Sequence, residues 1–144
     1  TDSPPSVGFN EVEKAVTERN DTSVALRGYS HGGGSVYEVS QSMDADPTSF
    51  NLDLTAYIDA IKHPYISILT EDRRPTNTDF HVNYYQEFQL GDLIPLQGGP
   101  SLPSGAGDED NVDFPTPTET HITIDDDAGV QGTILNHVKQ QINP

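Results

Sequence analysis

The chain has 144 residues and a mass of 15.7 kDa, the size of a single domain. Its 23 acidic residues outnumber seven Lys and Arg, so it lacks the basic face that nucleic acid or an anionic membrane surface requires. Cysteine is absent, which excludes disulfides, thiol nucleophiles and cysteine metal sites. No run approaches the ~20 apolar residues of a membrane span, and we expect neither a transmembrane segment nor a signal peptide.

Periodicity predicts one helix and then strands in the first third of the chain. Residues 1–8 contain prolines and a glycine, and we expect them to form an extended arm in front of a single β-rich domain over residues 9–144. Apolar residues at helical spacing predict a helix over residues 11–19. The period then changes to two, which predicts strands over 24–29 and 35–40, with a glycine-rich turn at 31–34 between them.

Two segments alternate between apolar and polar residues, and Gln86 interrupts the apolar face of the second. Residues 50–58 and 80–90 each have the pattern of an antiparallel strand with one solvated face. Tyr57 and Tyr85 fall on the solvated face, where a tyrosine either serves a protein interface or simply decorates the strand. A short strand is predicted between them, over residues 65–70. The apolar faces would build the core, through Phe50, Leu52, Leu54 and Ile58 on the first strand and Phe80, Val82, Tyr84 and Phe88 on the second.

The last third begins with a change of composition. Residues 91–120 contain five prolines and five glycines, which predicts a long loop or arm. A strand over 121–124 and an amphipathic helix over 130–142 complete the predicted elements. Ile134-Asn136-Val138 could also form a strand, and Gly132 disfavours the helix. The fold class that this order favours is mainly β: an antiparallel β-sandwich or single jelly-roll with short N- and C-terminal helices and extended arms.

Candidate metal ligands and bases are weakly defined. Asp108, Asp110 and Asp113 gather oxygen atoms of the type that calcium accepts, but the spacing departs from the EF-hand loop. No cofactor is otherwise expected. The histidines are scattered at positions that do not predict zinc ligation or general-base catalysis, and surface or partner-contacting roles are favoured for them: His31, His63, His81, His121 and His137.

One short motif resembles a catalytic element. His31-Gly32-Gly33-Gly34 is similar to the HGGG oxyanion-hole turn of lipases and esterases. No G-x-S-x-G elbow follows it, and the chain is short for that fold, so a glycine-rich hairpin loop is the favoured interpretation. A small hydrolase is therefore a function that we rank third, after the two described next.

The composition resembles that of proteins from extremely halophilic microbes and their viruses. A net charge of −16 makes the compact state repel itself, and multimolar salt would screen that repulsion. With a β-rich domain and long arms, the chain resembles small jelly-roll virion proteins of the capsid, penton, decoration or connector type. This implies a structural virion protein, not an enzyme, that assembles with itself or with other virion proteins through residues 1–8 and 91–120. The alternative is a β-sandwich binding module for carbohydrate or protein.

Overall fold

The computed structural model describes residues 5–45, 51–62, 68–87, 96–102 and 111–142. In chain order the elements are α1 (Pro5–Thr17), β1 (Ala25–Tyr29), α2 (His31–Asp44), β2 (Leu52–Ile58), β3 (Thr78–Tyr85), β4 (Asn111–Pro115) and α3 (Ala128–Ile142). The four strands form one sheet in the order β1-β2-β3-β4, and every neighbouring pair is parallel. The predicted antiparallel sandwich or jelly-roll is therefore wrong, because these residues form an α/β fold.

Helices cover both faces of the sheet, as a parallel sheet requires. On one face α1 packs on α2, and a cluster of Val12, Val39, Met43 and Leu52 joins these helices to β2. On the other face Val130 and Ile134 of α3 pack on β2 and β3 in the larger cluster. The apolar positions of the two alternating segments do build this core: Leu54, Ile58, Val82 and Tyr84 are buried. Phe50 and Phe88 lie outside the described residues.

Most polar positions of the same strands are also buried, so the prediction of a solvated face is wrong for them; Asp53 and Tyr85 are partly buried and Asp79 is exposed. Tyr57 is 0% exposed, and its ring meets the ring of His81 edge to face at 4.4 Å. Thr55 Oγ1 lies 2.8 Å from His81 Nδ1, and both residues are inaccessible to solvent. His81 is thus an interior residue and not a surface histidine. The alternation arises because one face of the sheet buries polar side chains that pair with one another.

Three other predicted elements differ from the structure. Residues 31–40 belong to α2 and are neither a turn nor a strand. Residues 121–124 form turns instead of a strand. Of the predicted arm at 1–8, residues 1–4 lie outside the described part, and residues 5–8 lie in the first turns of α1 and are not extended.

The segment predicted as a long loop at 91–120 contains β4, an edge strand of the sheet. Helices at 11–19 and 130–142 and a strand at 24–29 are confirmed, with α1 starting earlier than expected. Of the predicted strand at 65–70, residues 65–67 lie outside the described part, and Thr70 forms an isolated bridge with Ile61. Within the described ranges, no helix is both long and apolar enough to cross a membrane.

Candidate active site

The turn between β1 and α2 holds Ser30 in a backbone conformation that side chains rarely adopt. Its φ is 54° and its ψ is −128°, a geometry that costs about 1–3 kcal/mol. Backbone hydrogen bonds fix it: the Ser30 N–H donates to the Ile58 carbonyl at 3.0 Å, and the Ile61 N–H donates to the Ser30 carbonyl at 2.9 Å. Such strain persists only where surrounding structure enforces it, and it concentrates at functional sites.

Glycines let α2 start directly against β1. A Cβ atom on Gly28 would lie 2.2 Å from the Gly32 carbonyl oxygen, and one on Gly33 would lie 2.3 Å from Ala60 Cβ. Gly28-Tyr29-Ser30-His31-Gly32 is therefore a G-x-S-x-G sequence on a sharp strand-to-helix turn, the arrangement of a nucleophile elbow. Sequence reasoning missed this elbow because the motif was expected after the HGGG run, whereas the two overlap.

Two further side chains complete a line of hydrogen bonds to Ser30: His121 contacts Ser30, and Asp59 contacts His121. Asp59 directly follows β2, and His121 lies beyond β4. Because the strands are parallel, their carboxyl ends meet at one edge of the sheet. His121 Nε2 lies 3.0 Å from Ser30 Oγ, and His121 Nδ1 lies 2.6 Å from Asp59 Oδ2. With the ring proton on Nδ1, the imidazole donates to Asp59 and accepts from the Ser30 hydroxyl.

The carboxylate of Asp59 is enclosed by donors. The residue is 0% exposed and has a φ of 47°. Its Oδ1 accepts hydrogen bonds from the backbone N–H groups of Gln86 at 3.1 Å and Gly98 at 2.5 Å. Its Oδ2 accepts from Gln86 Nε2 at 2.9 Å as well as from His121. Both oxygens are thus satisfied in the ionised form, which is the form that can orient a histidine.

Tyr29 fixes the other side of His121. The Tyr29 hydroxyl donates to the His121 carbonyl oxygen at 2.5 Å, and the two rings lie 5.2 Å apart. Burial raises the pKa of Tyr29 to about 12, and the negative charges of Asp125, Asp59 and Asp126 contribute in the same direction. The hydroxyl therefore stays protonated and remains a donor at ordinary pH. His121 is itself only 6% exposed, in contrast to the surface role that the sequence suggested.

Of the three predicted metal ligands, the structure describes Asp113. Asp108 and Asp110 lie outside the described residues. Asp113 lies on β4, where its Oδ1 accepts from Asn83 Nδ2 at 2.7 Å and from the Ser101 N–H at 3.0 Å. In the part of the chain that the structure covers, no three His, Asp or Glu side chains are grouped as a metal site would require. A cation at Asp108, Asp110 and Asp113 stays a prediction.

No protein-family model, curated protein or solved structure matches this chain. The virion role and the self-assembly inferred from composition stay predictions, and the proposal below takes the place of the expectation that the chain is not an enzyme.

Proposed function

We propose that this protein is a serine hydrolase that cleaves carboxylic esters. The observation that carries the proposal is the hydrogen-bonded line from Ser30 Oγ through His121 to Asp59, built on the strained elbow. The chain order Ser, Asp, His is that of α/β-hydrolases, and the parallel sheet with helices on both faces agrees with it. Esters are the favoured substrates because an alcohol leaves a tetrahedral intermediate with less assistance than an amine.

Acylation would begin with attack of Ser30 Oγ on the ester carbonyl carbon. As the bond forms, the hydroxyl proton passes to His121 Nε2, and Asp59 stabilises the resulting imidazolium through the Nδ1–H bond. The oxyanion develops beside the N–H of His31, the residue after the nucleophile, where the α2 N-terminus also favours negative charge. Return of the proton from Nε2 to the alcohol oxygen breaks the ester bond and leaves the acyl group on Ser30.

Deacylation would use the same groups in reverse. A water molecule attacks the acyl carbon while His121 Nε2 takes one of its protons. Collapse of the second tetrahedral intermediate returns that proton to Ser30 Oγ and releases the carboxylic acid. Ser30 and His31 are only partly buried, so the reacting oxygen can be reached from solvent.

The test uses p-nitrophenyl butyrate hydrolysis and covalent labelling by a fluorophosphonate, both in high salt. We expect Ser30→Ala to abolish labelling and hydrolysis, and Asp59→Asn to lower kcat by about 10⁴-fold because the histidine loses its orienting acceptor. Ser42→Ala is the matched control, because that hydroxyl is exposed and, among the described residues, donates to the Glu38 carbonyl within α2. Labelling that survives in Ser30→Ala, or a folded wild-type protein inert to both reagents, would refute the proposal.

A further inference from the structure

A buried glutamine lies behind the acid of the proposed triad. Gln86 directly follows β3 and is 1% exposed. Its backbone N–H donates to Asp59 Oδ1 at 3.1 Å, while its side-chain Nε2 donates to Asp59 Oδ2 at 2.9 Å and to the Leu96 carbonyl at 2.9 Å. One residue thus holds both oxygens of the carboxylate, including the oxygen that faces His121.

The side-chain amide of Gln86 makes its hydrogen bonds through the two N–H groups of Nε2. Both partners of Nε2 are acceptors, so the orientation of the amide is dictated by its surroundings. The other amide atom, Oε1, is buried and has no hydrogen-bond partner among the described residues. A buried acceptor without a partner is unfavourable. The structure tolerates that cost while keeping both N–H groups on their acceptors. A glutamate here would instead place a second carboxylate against Asp59.

A short segment closes over the same carboxylate. Gly98 donates its N–H to Asp59 Oδ1, and a Cβ atom on this glycine would lie 2.5 Å from that oxygen. Residues 96–102, which we call the strap, are fixed to the rest of the fold by several further bonds. These run from Asn83 Nδ2 to the Gly99 carbonyl, from Thr70 Oγ1 to the Gln97 carbonyl, from the Ser101 N–H to Asp113, and from the Leu102 N–H to the Asp72 carbonyl.

We infer that Gln86 is a positioning residue, which sets the plane of the Asp59 carboxylate so that Oδ2 points at His121 Nδ1. The inference rests on the proposed function. Without the Gln86 side-chain N–H, Oδ2 loses its donor other than His121, so the carboxylate can turn about its Cβ–Cγ bond and the imidazole loses its fixed direction toward Ser30. Misplacement of a catalytic group by about 1 Å costs about 100-fold in rate. The loss should appear in kcat and leave KM unchanged, because Gln86 does not touch the substrate.

The experiment compares Gln86→Met, which keeps the length of the side chain and removes its donors, with Asn83→Leu. Asn83 is a matched control: it is equally buried, it anchors the strap at Gly99, and it does not touch Asp59 or His121. We expect kcat for p-nitrophenyl butyrate to fall about 100-fold in Gln86→Met, with KM unchanged. Asn83→Leu should stay within a few fold of the wild type. Gln86→Leu, which also removes the side-chain donors and adds no charge beside Asp59, serves if Gln86→Met does not fold, with the same expected loss of kcat.

A second readout does not depend on turnover. The Nδ1 proton of His121, held between two heavy atoms 2.6 Å apart, should give a far-downfield ¹H NMR signal. We expect Gln86→Met to shift or broaden it and Asn83→Leu to leave it in place. The inference is overturned if folded Gln86→Met keeps wild-type kcat and this signal, or if Asn83→Leu loses as much of both. A wild-type protein that hydrolyses no ester would remove the proposed function, and the NMR comparison would still decide whether Gln86 orients the Asp59–His121 pair.

Discussion

Replacing Gly28 by alanine should push α2 away from β1 and so displace the proposed nucleophile. The added Cβ would lie 2.2 Å from the Gly32 carbonyl oxygen, 2.3 Å from its carbon and 2.5 Å from Gly33 N. All three are backbone atoms, so no side-chain rotation can relieve the overlap. Overpacking of a tight interior typically costs about 1–3 kcal/mol, and we expect the upper end of that range for Gly28→Ala.

Gly32→Ala is the matched control, because an added Cβ there meets nothing within 4 Å and lies in the first turn of α2. Alanine is favoured over glycine in a helix by about 0.5–1 kcal/mol, so this variant should be slightly more stable than the wild type. Thermal unfolding followed by circular dichroism measures both, at about 2–4 °C per kcal/mol for a chain of this size. Esterase kcat should fall about 100-fold in Gly28→Ala, since Ser30 moves with the helix. Equal effects of the two substitutions on the midpoint would refute the close-approach argument.

Two further predictions concern pH and salt. Burial lowers the pKa of His137 below its ordinary 6.5, so the unfolded state takes up the proton first, and stability should fall as pH drops below about 6.5. In urea unfolding, the free energy of unfolding of His137→Leu should fall less between about pH 7.5 and pH 5.5 than that of the wild type. Equal falls in the two proteins would contradict this cause. Self-repulsion at a net charge of −16 should make the unfolding midpoint rise toward about 3 M KCl. Ester hydrolysis per folded molecule should stay constant, because Asp59 is fully buried, and a folded but inactive protein in dilute buffer would contradict that reasoning.

The element that sequence reasoning described least well is α2. Its first residues include three consecutive glycines, each of which disfavours a helix by about 1 kcal/mol relative to alanine. Tertiary contacts explain these glycines, because Gly33 packs against Ala60 and the start of α2 packs against Gly28. Local propensity therefore predicted a turn and a strand where tertiary contact requires a helix. The opposite held for α3, whose apolar residues recur at helical spacing and whose position was predicted correctly.

The strands predicted at 50–58 and 80–90 were located correctly, because alternation survives in either kind of sheet. The burial of their polar residues was predicted wrongly. A polar residue on a strand usually faces water, and a buried polar residue can be recognised only when its hydrogen-bond partner is known. The partners of Thr55, His81 and Asn83 come from 16 to 30 residues away in sequence. No spacing rule connects such pairs, so a polar interior face resembled a solvated one.

The proposed site likewise has one part that the sequence displays and one part that only the fold brings together. The sequence around Ser30 is a local motif that the residue order alone displays, and it was overlooked because it overlaps the HGGG run. Asp59 and His121 could not have been chosen from fifteen aspartates and five histidines. Only the parallel order of β1, β2 and β4 brings the ends of these strands to one edge.

That parallel order also explains how the strained residues are held. Among the described residues, three that are not glycine have positive φ, and two of them are Ser30 and Asp59. Each directly follows a strand, and each donates its N–H to a carbonyl at the end of the next strand: Ser30 to Ile58 at 3.0 Å, and Asp59 to Tyr84 at 2.7 Å. The strained turn after one strand is thus anchored by the strand beside it. Because each anchor depends on strand pairing, the register of the sheet sets both the strain and the distance between the proposed nucleophile and its acid.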